Sequence, residues 1–267
     1  MSKSKMTKKT EETLRAGIAK FQKILISAKA RDLNESDTVA IVTDIFAEVF
    51  GFDKYAEVTS ELAIRGTYCD LAIKVNGKFE FLAECKAIGI DLKEAHIRQA
   101  TAYGANKGIE WIILTNGAVW KLYRLRFEQP LSWEAVFSVD LTTANPRDEK
   151  VLSSLFAITK EGLAKDARAE LYDKQRFVNR YTLGLLLQGE TVLKAVQKDL
   201  RRLVPDIRVD SQEILSILQE DILRRDLLEG EEHDDAKATI AKLERRAQRA
   251  EAKTTKPAPA ETPVPQE

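Results

Sequence analysis

Two acidic residues and a lysine near the middle of the chain have the types and spacing needed for metal-dependent hydrolysis. Asp70 lies in an alternating apolar and polar run at 68–75, and Glu84 and Lys86 lie two residues apart in a second such run at 78–87. Residues two apart on a strand project to the same side. Two nearby carboxylates repel each other, and Mg²⁺ relieves that repulsion because it prefers oxygen ligands. The set therefore predicts a Mg²⁺ site, with Mn²⁺ as a possible substitute, suited to attack on a phosphodiester by a water that Lys86 orients or helps to deprotonate.

The register of the hairpin between these runs decides whether Asp70 joins the other two residues. The apolar faces of the two runs match only if paired residue numbers have an even sum. A two-residue Asn76-Gly77 turn gives an odd sum, so the pattern predicts a three-residue loop with Gly77 in the left-handed conformation. This register places Asp70 on the face of Glu84. The Cys85 side chain then points away, while its backbone carbonyl can face the metal.

An ordinary surface explains the same spacing. An Asp on one strand and a Glu-x-Lys on the next also form a solvated ion-pair face that needs no function. Residue spacing alone leaves both interpretations open.

Helices and strands alternate around the hairpin. A helix is predicted from residue 35 to about 50, and a second from 91 to about 107. A strongly apolar strand at 109–115 then turns into another strand at 119–125. The order of helix, strand pair, helix and strand pair predicts an α/β domain with a mixed sheet over about residues 32–140.

The remaining chain is more polar and mostly helical. Residues 1–31 read as a basic N-terminal arm, because eight Lys or Arg face two Glu within the first 30 residues. Such an arm either touches nucleic acid phosphates or is an ordinary solvated tail. The sequence pattern predicts an all-α extension at 146–230 and a charged helix at 231–252. It also predicts a Pro-rich disordered tail at 253–267. The extension is expected to bind a partner protein or a second copy of the chain, with DNA contact and a simple scaffold as alternatives.

The order of these features across the domain is more specific than any one of them. An acidic residue opens the first helix, and Asp70 and Glu84-Cys85-Lys86 follow on the hairpin. A Gln99-x-x-x-Tyr103 helix and a Thr-Asn-Gly strand turn come after it. This order resembles the N-terminal nuclease domain of the type I restriction enzyme R subunit, a branch of the PD-(D/E)XK nuclease superfamily, over about residues 32–127. The resemblance implies a restriction-endonuclease-like mixed sheet flanked by helices.

The resemblance also implies roles for individual residues. Asp70 and Glu84 match the metal ligands, and Lys86 matches the catalytic lysine. Gln99 and Tyr103 match the helix motif that engages DNA. The family also has an acidic residue on the first helix that binds metal directly or through water. Glu35 is its best match, and the nearby alternatives are Asp37, Asp44 and Glu48.

The activity implied is Mg²⁺-dependent endonucleolytic hydrolysis of DNA, leaving a 5′-phosphate and a 3′-hydroxyl, in restriction or phage defence. The chain has no GxxxxGK[ST] phosphate loop, so it resembles a stand-alone member without a helicase motor. A catalytically silent DNA-binding or protein-assembly module of the same fold is the alternative.

Composition narrows the classes of protein further. The 267 residues carry 42 Lys+Arg and 42 Asp+Glu, and 44% are hydrophobic, which is typical of a globular chain with a core. Two cysteines cannot build a disulfide framework, so a reducing cytoplasm is the expected location. No apolar run approaches the roughly 18 residues that a membrane helix needs, so no membrane partner is expected.

Overall fold

The computed structural model describes residues 5–64 and 67–254 and shows a mixed α/β protein. A six-stranded mixed sheet is flanked by helices, and further helices follow it. The chain divides into two compact units, residues 1–175 and residues 176–267. The predicted disordered tail lies outside the described residues from residue 255 onward.

The six strands of the first unit lie in the sheet in the same order as in the chain. Every neighbouring pair is antiparallel except the third and fourth strands, which are parallel. The predicted mixed sheet is therefore confirmed, and a helix makes the crossover that a parallel pair requires. The strands are β1 (Val58–Ile64), β2 (Thr67–Val75), β3 (Lys78–Cys85), β4 (Trp111–Thr115), β5 (Val119–Arg126) and β6 (Ser132–Asp140).

Helices cover both faces of the sheet. A larger core packs one face against the first, second and fourth helices, and a smaller core packs the other face against the crossover helix. Both faces of the central strands are consequently apolar. The helices that begin in this unit are α1 (Lys8–Ala30), α2 (Glu35–Glu48), α3 (Glu94–Lys107), α4 (Glu149–Phe156), α5 (Lys160–Ala164) and α6 (Ala167–Phe177).

The N-terminal segment is part of the larger core. Leu14, Ile18, Phe21 and Leu25 of α1 are at most 3% exposed. Their spacing of four, three and four residues forms one apolar helix face, while the lysines occupy the other positions. The interpretation of residues 1–31 as a basic arm or a solvated tail is therefore wrong for α1, because the high lysine content concealed a core-facing stripe.

The first unit also extends further toward the C-terminus than predicted. Leu152, Leu155 and Phe156 of α4 are buried in the larger core. The boundary of this unit at residue 175 thus lies well beyond the predicted end near residue 140. Strand periodicity ends before the domain does, because helices after β6 complete the cover of the sheet.

The hairpin between β2 and β3 combines a tight turn with a bulge. Val75 pairs with Lys78 across a two-residue turn, in which Asn76 and Gly77 have φ of 50° and 81°. The ladder then shifts register, so that Ile73 pairs with Phe81 and the apolar faces match. The predicted three-residue loop is wrong. The even-sum pairing of the inner residues and the left-handed Gly77 are confirmed, because a β-bulge rather than a longer loop brings the two apolar faces into match.

In its described part, residues 176–254, the second unit consists of helices joined by loops. Among the side chains described for this unit, Leu193 and Ile214 are the buried apolar ones, whereas Leu186, Leu203 and Ile222 are 48%, 67% and 63% exposed. That a partner covers these side chains stays a prediction. Its helices are α7 (Arg180–Leu187), α8 (Glu190–Leu203), α9 (Ser211–Ile217) and α10 (Glu231–Thr254), with a π-helical turn at Leu218–Ile222 and a 3₁₀ turn at Arg225–Leu227.

Across the residues that the structure describes, no helix combines the length and the apolar character needed to cross a bilayer.

Candidate catalytic site

Asp70, Glu84 and Lys86 meet where β3 ends. The Cys85 backbone N–H donates a hydrogen bond to Oδ2 of Asp70 at 2.7 Å. The Lys86 Nζ donates to Oε1 of Glu84 at 2.8 Å. The paired strands therefore bring the three predicted side chains together, as the register argument requires.

Glu84 is a buried carboxylate with one oxygen left over. Its side chain is 1% exposed, and Oε2 has no hydrogen-bond partner among the described residues. Burial raises the pKa of Glu84 from 4.5 to about 7, and the charge of Asp70 adds to that rise. The ammonium of Lys86 offsets only part of the effect. A carboxyl group in this condition favours either a proton or a further cation.

Lys86 is held as a cation by its acidic neighbours. Its side chain is 15% exposed, and Nζ lies 3.5 Å from Oε2 of Glu35. Burial by itself lowers the pKa of Lys86, but the hydrogen bond and charge of Glu84, with Glu35 and Asp70, raise it above the usual value. In this arrangement Lys86 is an ammonium at neutral pH, so it donates hydrogen bonds and stabilises negative charge rather than accepting a proton.

Glu35 is the acidic residue of the first helix that faces the site. It is the first residue of α2, whose N-cap Asn34 accepts a hydrogen bond from a backbone N–H of the first turn. Two of the alternatives, Asp44 and Glu48, form ion pairs with other lysines. The geometry thus favours Glu35 over these two.

The backbone of Cys85 points toward Asp70. The Lys86 N–H donates to the Thr115 carbonyl of β4 at 2.9 Å. Because successive peptide groups of a strand alternate in direction, the N–H and carbonyl of Cys85 lie on the β2 side, where Asp70 accepts the N–H. The carbonyl therefore has the direction that a backbone metal ligand needs. The Cys85 thiol is buried in the larger core, which raises its pKa, and it is no candidate ligand.

Gln99 and Tyr103 lie together on α3. The Gln99 Nε2 donates to the Tyr103 hydroxyl at 3.1 Å. Tyr103 is 6% exposed and belongs to the smaller core, whereas Gln99 is exposed. This hydrogen bond joins the two side chains to each other, and it does not link them to Glu84 or Lys86. Of this pair, only the Gln99 side chain is therefore exposed at the surface, and Tyr103 orients its amide.

Asn116 makes long-range contacts that the sequence does not display. It belongs to the Thr-Asn-Gly turn, and its side chain is 6% exposed and donates to the backbone carbonyls of Ile88 and Ile90. A buried polar residue in a strand turn was the available signal, but its partners lie 26 and 28 residues away in the sequence.

The donor set fits a Mg²⁺ ion that keeps much of its water. No group of three or more His, Cys, Asp or Glu side chains among the described residues is arranged to hold a metal. A site made of Asp70, Glu84 and the Cys85 carbonyl has two side-chain ligands, and Mg²⁺ typically uses one or two carboxylates with waters and substrate phosphate. The unpartnered Oε2 of Glu84 fits such an ion, because a buried carboxylate oxygen without a donor is unfavourable.

Comparison of the chain with protein-family models, curated proteins and solved structures finds no match in any of the three.

Proposed function

We propose that this protein is a Mg²⁺-dependent endonuclease with a restriction-endonuclease-like fold, similar to the nuclease domain of type I restriction R subunits. One observation carries the proposal: Glu84 is 1% exposed, has an unpartnered Oε2, and lies beside Asp70 and Lys86. A solvated ion-pair face would keep its carboxylates in water. A buried, strongly perturbed carboxyl group is typical of a functional site instead.

The chemistry divides among the residues of the site. Asp70, Glu84 and the Cys85 carbonyl would hold the ion, which when bound polarises the phosphate and activates water. The Lys86 ammonium stabilises the negative charge that develops on the phosphoryl oxygens. Glu35 is half exposed, and it would orient water at the solvent side. Cleavage leaves a 5′-phosphate and a 3′-hydroxyl.

The proposed substrate is DNA. The exposed amide of Gln99, fixed by the Tyr103 hydroxyl, is a directional donor and acceptor for a nucleic acid strand. Defence against foreign DNA is the setting that the family resemblance implies.

Cleavage by matched variants tests the proposal. The full chain is incubated with supercoiled plasmid, linear duplex, single-stranded DNA and RNA, in Mg²⁺, Mn²⁺ or EDTA. We expect Asp70→Asn and Lys86→Met each to lower the rate by at least about a hundredfold. Asp44→Asn is the matched control, because it removes a carboxylate from a surface ion pair with Lys54. Full cleavage by both site variants, or cleavage in EDTA, would reject the proposal.

A catalytically silent binding or assembly module is the second candidate. The apolar side chains that the second unit exposes favour it, since large exposed apolar groups are typical of interaction surfaces. This candidate predicts DNA or partner binding without cleavage in any metal, and binding that Lys86→Met leaves unchanged.

A further inference from the structure

We infer that Asn116 is a positioning residue of the proposed site, because it fixes residues 87–92, the chain segment that follows Lys86 and is called here the Lys86 segment. The inference rests on the proposed function. It concerns a residue to which that function assigns no role.

The turn between β4 and β5 holds both ends of this segment. The Thr115 carbonyl accepts the Lys86 N–H at 2.9 Å. The Asn116 side chain then donates to the carbonyls of Ile88 at 3.3 Å and Ile90 at 2.9 Å. Lys86 follows directly after the last residue of β3, so these bonds replace the ladder that no longer constrains it.

The same turn packs against the helix that carries Glu35. Gly117 has φ of 78°, and a Cβ there would lie 3.3 Å from Leu25 Cδ2 and 3.4 Å from Thr38 Cγ2. Thr38 is three residues after Glu35 on α2, so the turn approaches α2 less than one helical turn along the chain from Glu35. Glycine therefore permits an approach that fixes the turn relative to α2.

A lysine of β5 extends the attachment toward α3. The Lys121 Nζ donates to the Leu92 carbonyl at 3.2 Å. Leu92 lies two residues before the start of α3, which carries Gln99. The β4–β5 turn and its flanking strand thus hold the Lys86 segment, the start of α2 and the approach to α3 in one arrangement.

A purely local role does not account for these bonds. Asn116 Oδ1 accepts the Val119 N–H at 2.7 Å, and this bond alone serves the turn itself. The two amide donations to Ile88 and Ile90 hold a different segment of the chain. The acceptor and donor functions of one side chain can therefore be tested separately.

Asn116→Asp separates them, because aspartate keeps the acceptor and loses the amide donors. We expect kcat for DNA cleavage to fall between about tenfold and a hundredfold, as small misplacements of catalytic groups do. KM for DNA and the Mn²⁺ dissociation constant, measured by electron paramagnetic resonance, should stay within threefold, since Asp70 and Glu84 are held by the strands. Amide hydrogen exchange over 87–92 should speed up at least tenfold.

Asn106→Asp is the matched control, because it removes the amide that donates to the Ala102 carbonyl on α3. Its kcat and its exchange over 87–92 should equal those of the wild type. Lys121→Met provides a second test if Asn116→Asp does not fold, and it should lower kcat several-fold at unchanged KM.

The possible failures are distinguishable. A wild-type chain that cuts no nucleic acid rejects the proposed function, and this inference with it. If the wild type cuts DNA and folded Asn116→Asp cuts at the same rate, the positioning role is overturned while the proposed function stands. A folded Asn116→Asp that loses Mn²⁺ binding in parallel with kcat would also overturn it, because that outcome indicates a general structural role.

Discussion

Glu84→Gln removes a buried charge, and we expect it to stabilise the metal-free protein above neutral pH. Burial raises the pKa of Glu84 from 4.5 to about 7, so the folded protein binds this proton more tightly than the unfolded chain. The stability that Glu84 contributes is therefore complete below pH 4.5 and is lost as the pH rises to about 7. At pH 8 this rise in the pKa of Glu84 lowers the free energy of unfolding by about 3 kcal/mol. Glutamine also removes the negative partner of Lys86, so we expect a net gain of about 1 to 2 kcal/mol.

Urea unfolding in EDTA between about pH 5 and pH 8 measures this difference. The three tryptophans lie at 111, 120 and 133, so their fluorescence reports on the first unit. The wild type should lose stability relative to Glu84→Gln as the pH rises. Glu94→Gln is the matched control, because Glu94 is 66% exposed and pairs with Arg98 on the surface of α3. Its pH profile should follow that of the wild type.

Adding excess Mg²⁺ completes the experiment. A ligand that binds only the folded protein stabilises it by mass action. Mg²⁺ should therefore stabilise the wild type at pH 8 and leave Glu84→Gln unchanged. Parallel pH profiles for the wild type and Glu84→Gln would refute the buried-charge reasoning, and equal stabilisation by Mg²⁺ would refute Glu84 as a ligand.

Three further predictions concern other parts of the first unit. Lys86→Met should tighten Mn²⁺ binding at least about tenfold even as cleavage is lost, because an ammonium 2.8 Å from Glu84 no longer repels the ion; unchanged or weaker binding in a direct titration would contradict this. Glu161→Gln should lower stability at pH 7 by about 1 to 2 kcal/mol, allowing for solvent screening. Its carboxylate accepts from Lys165 and from Thr10 and Thr7 at the start of α1, and these bonds outweigh its burial and lower its pKa to about 2. The difference should shrink in urea titrations as the pH falls from 4.5 toward 2, and a constant difference would show the reasoning to be wrong. Gly104→Ala should destabilise by about 1 to 3 kcal/mol, because its Cβ would lie 2.5 Å from a side-chain atom of β5; an unchanged urea midpoint would contradict it.

The part of the site that depends on strand alternation was predictable. Asp70, Glu84 and Lys86 share a face because side chains alternate with a period of two, which is a local property of the sequence. Glu35 needed the family resemblance, since spacing along the chain does not show which acidic residue of a helix faces a strand. The structure separates it from Asp44 by the ion pair that Asp44 makes elsewhere.

Other features depended on contacts that the sequence does not display. The turn at Gly77 was predicted as too long, because parity arguments assume an unbroken ladder and a bulge breaks it. The apolar stripe of α1 was obscured by the lysines between its members. In the sequence Asn116 looks like an ordinary turn residue, because its carbonyl partners are remote along the chain. In each case tertiary packing decided the outcome.

The two thiols of the chain can report when the sheet around the proposed site opens. Cys69 and Cys85 flank the acidic residues on β2 and β3, both are fully buried, and they belong to opposite apolar cores. Burial raises the pKa of Cys69 to about 12 and that of Cys85 well above 9.0, so neither forms a reactive thiolate while the sheet is closed. Alkylating reagents should therefore label the chain only when this hairpin separates from its neighbours, and the labelling rate would follow breathing of the sheet without an introduced probe.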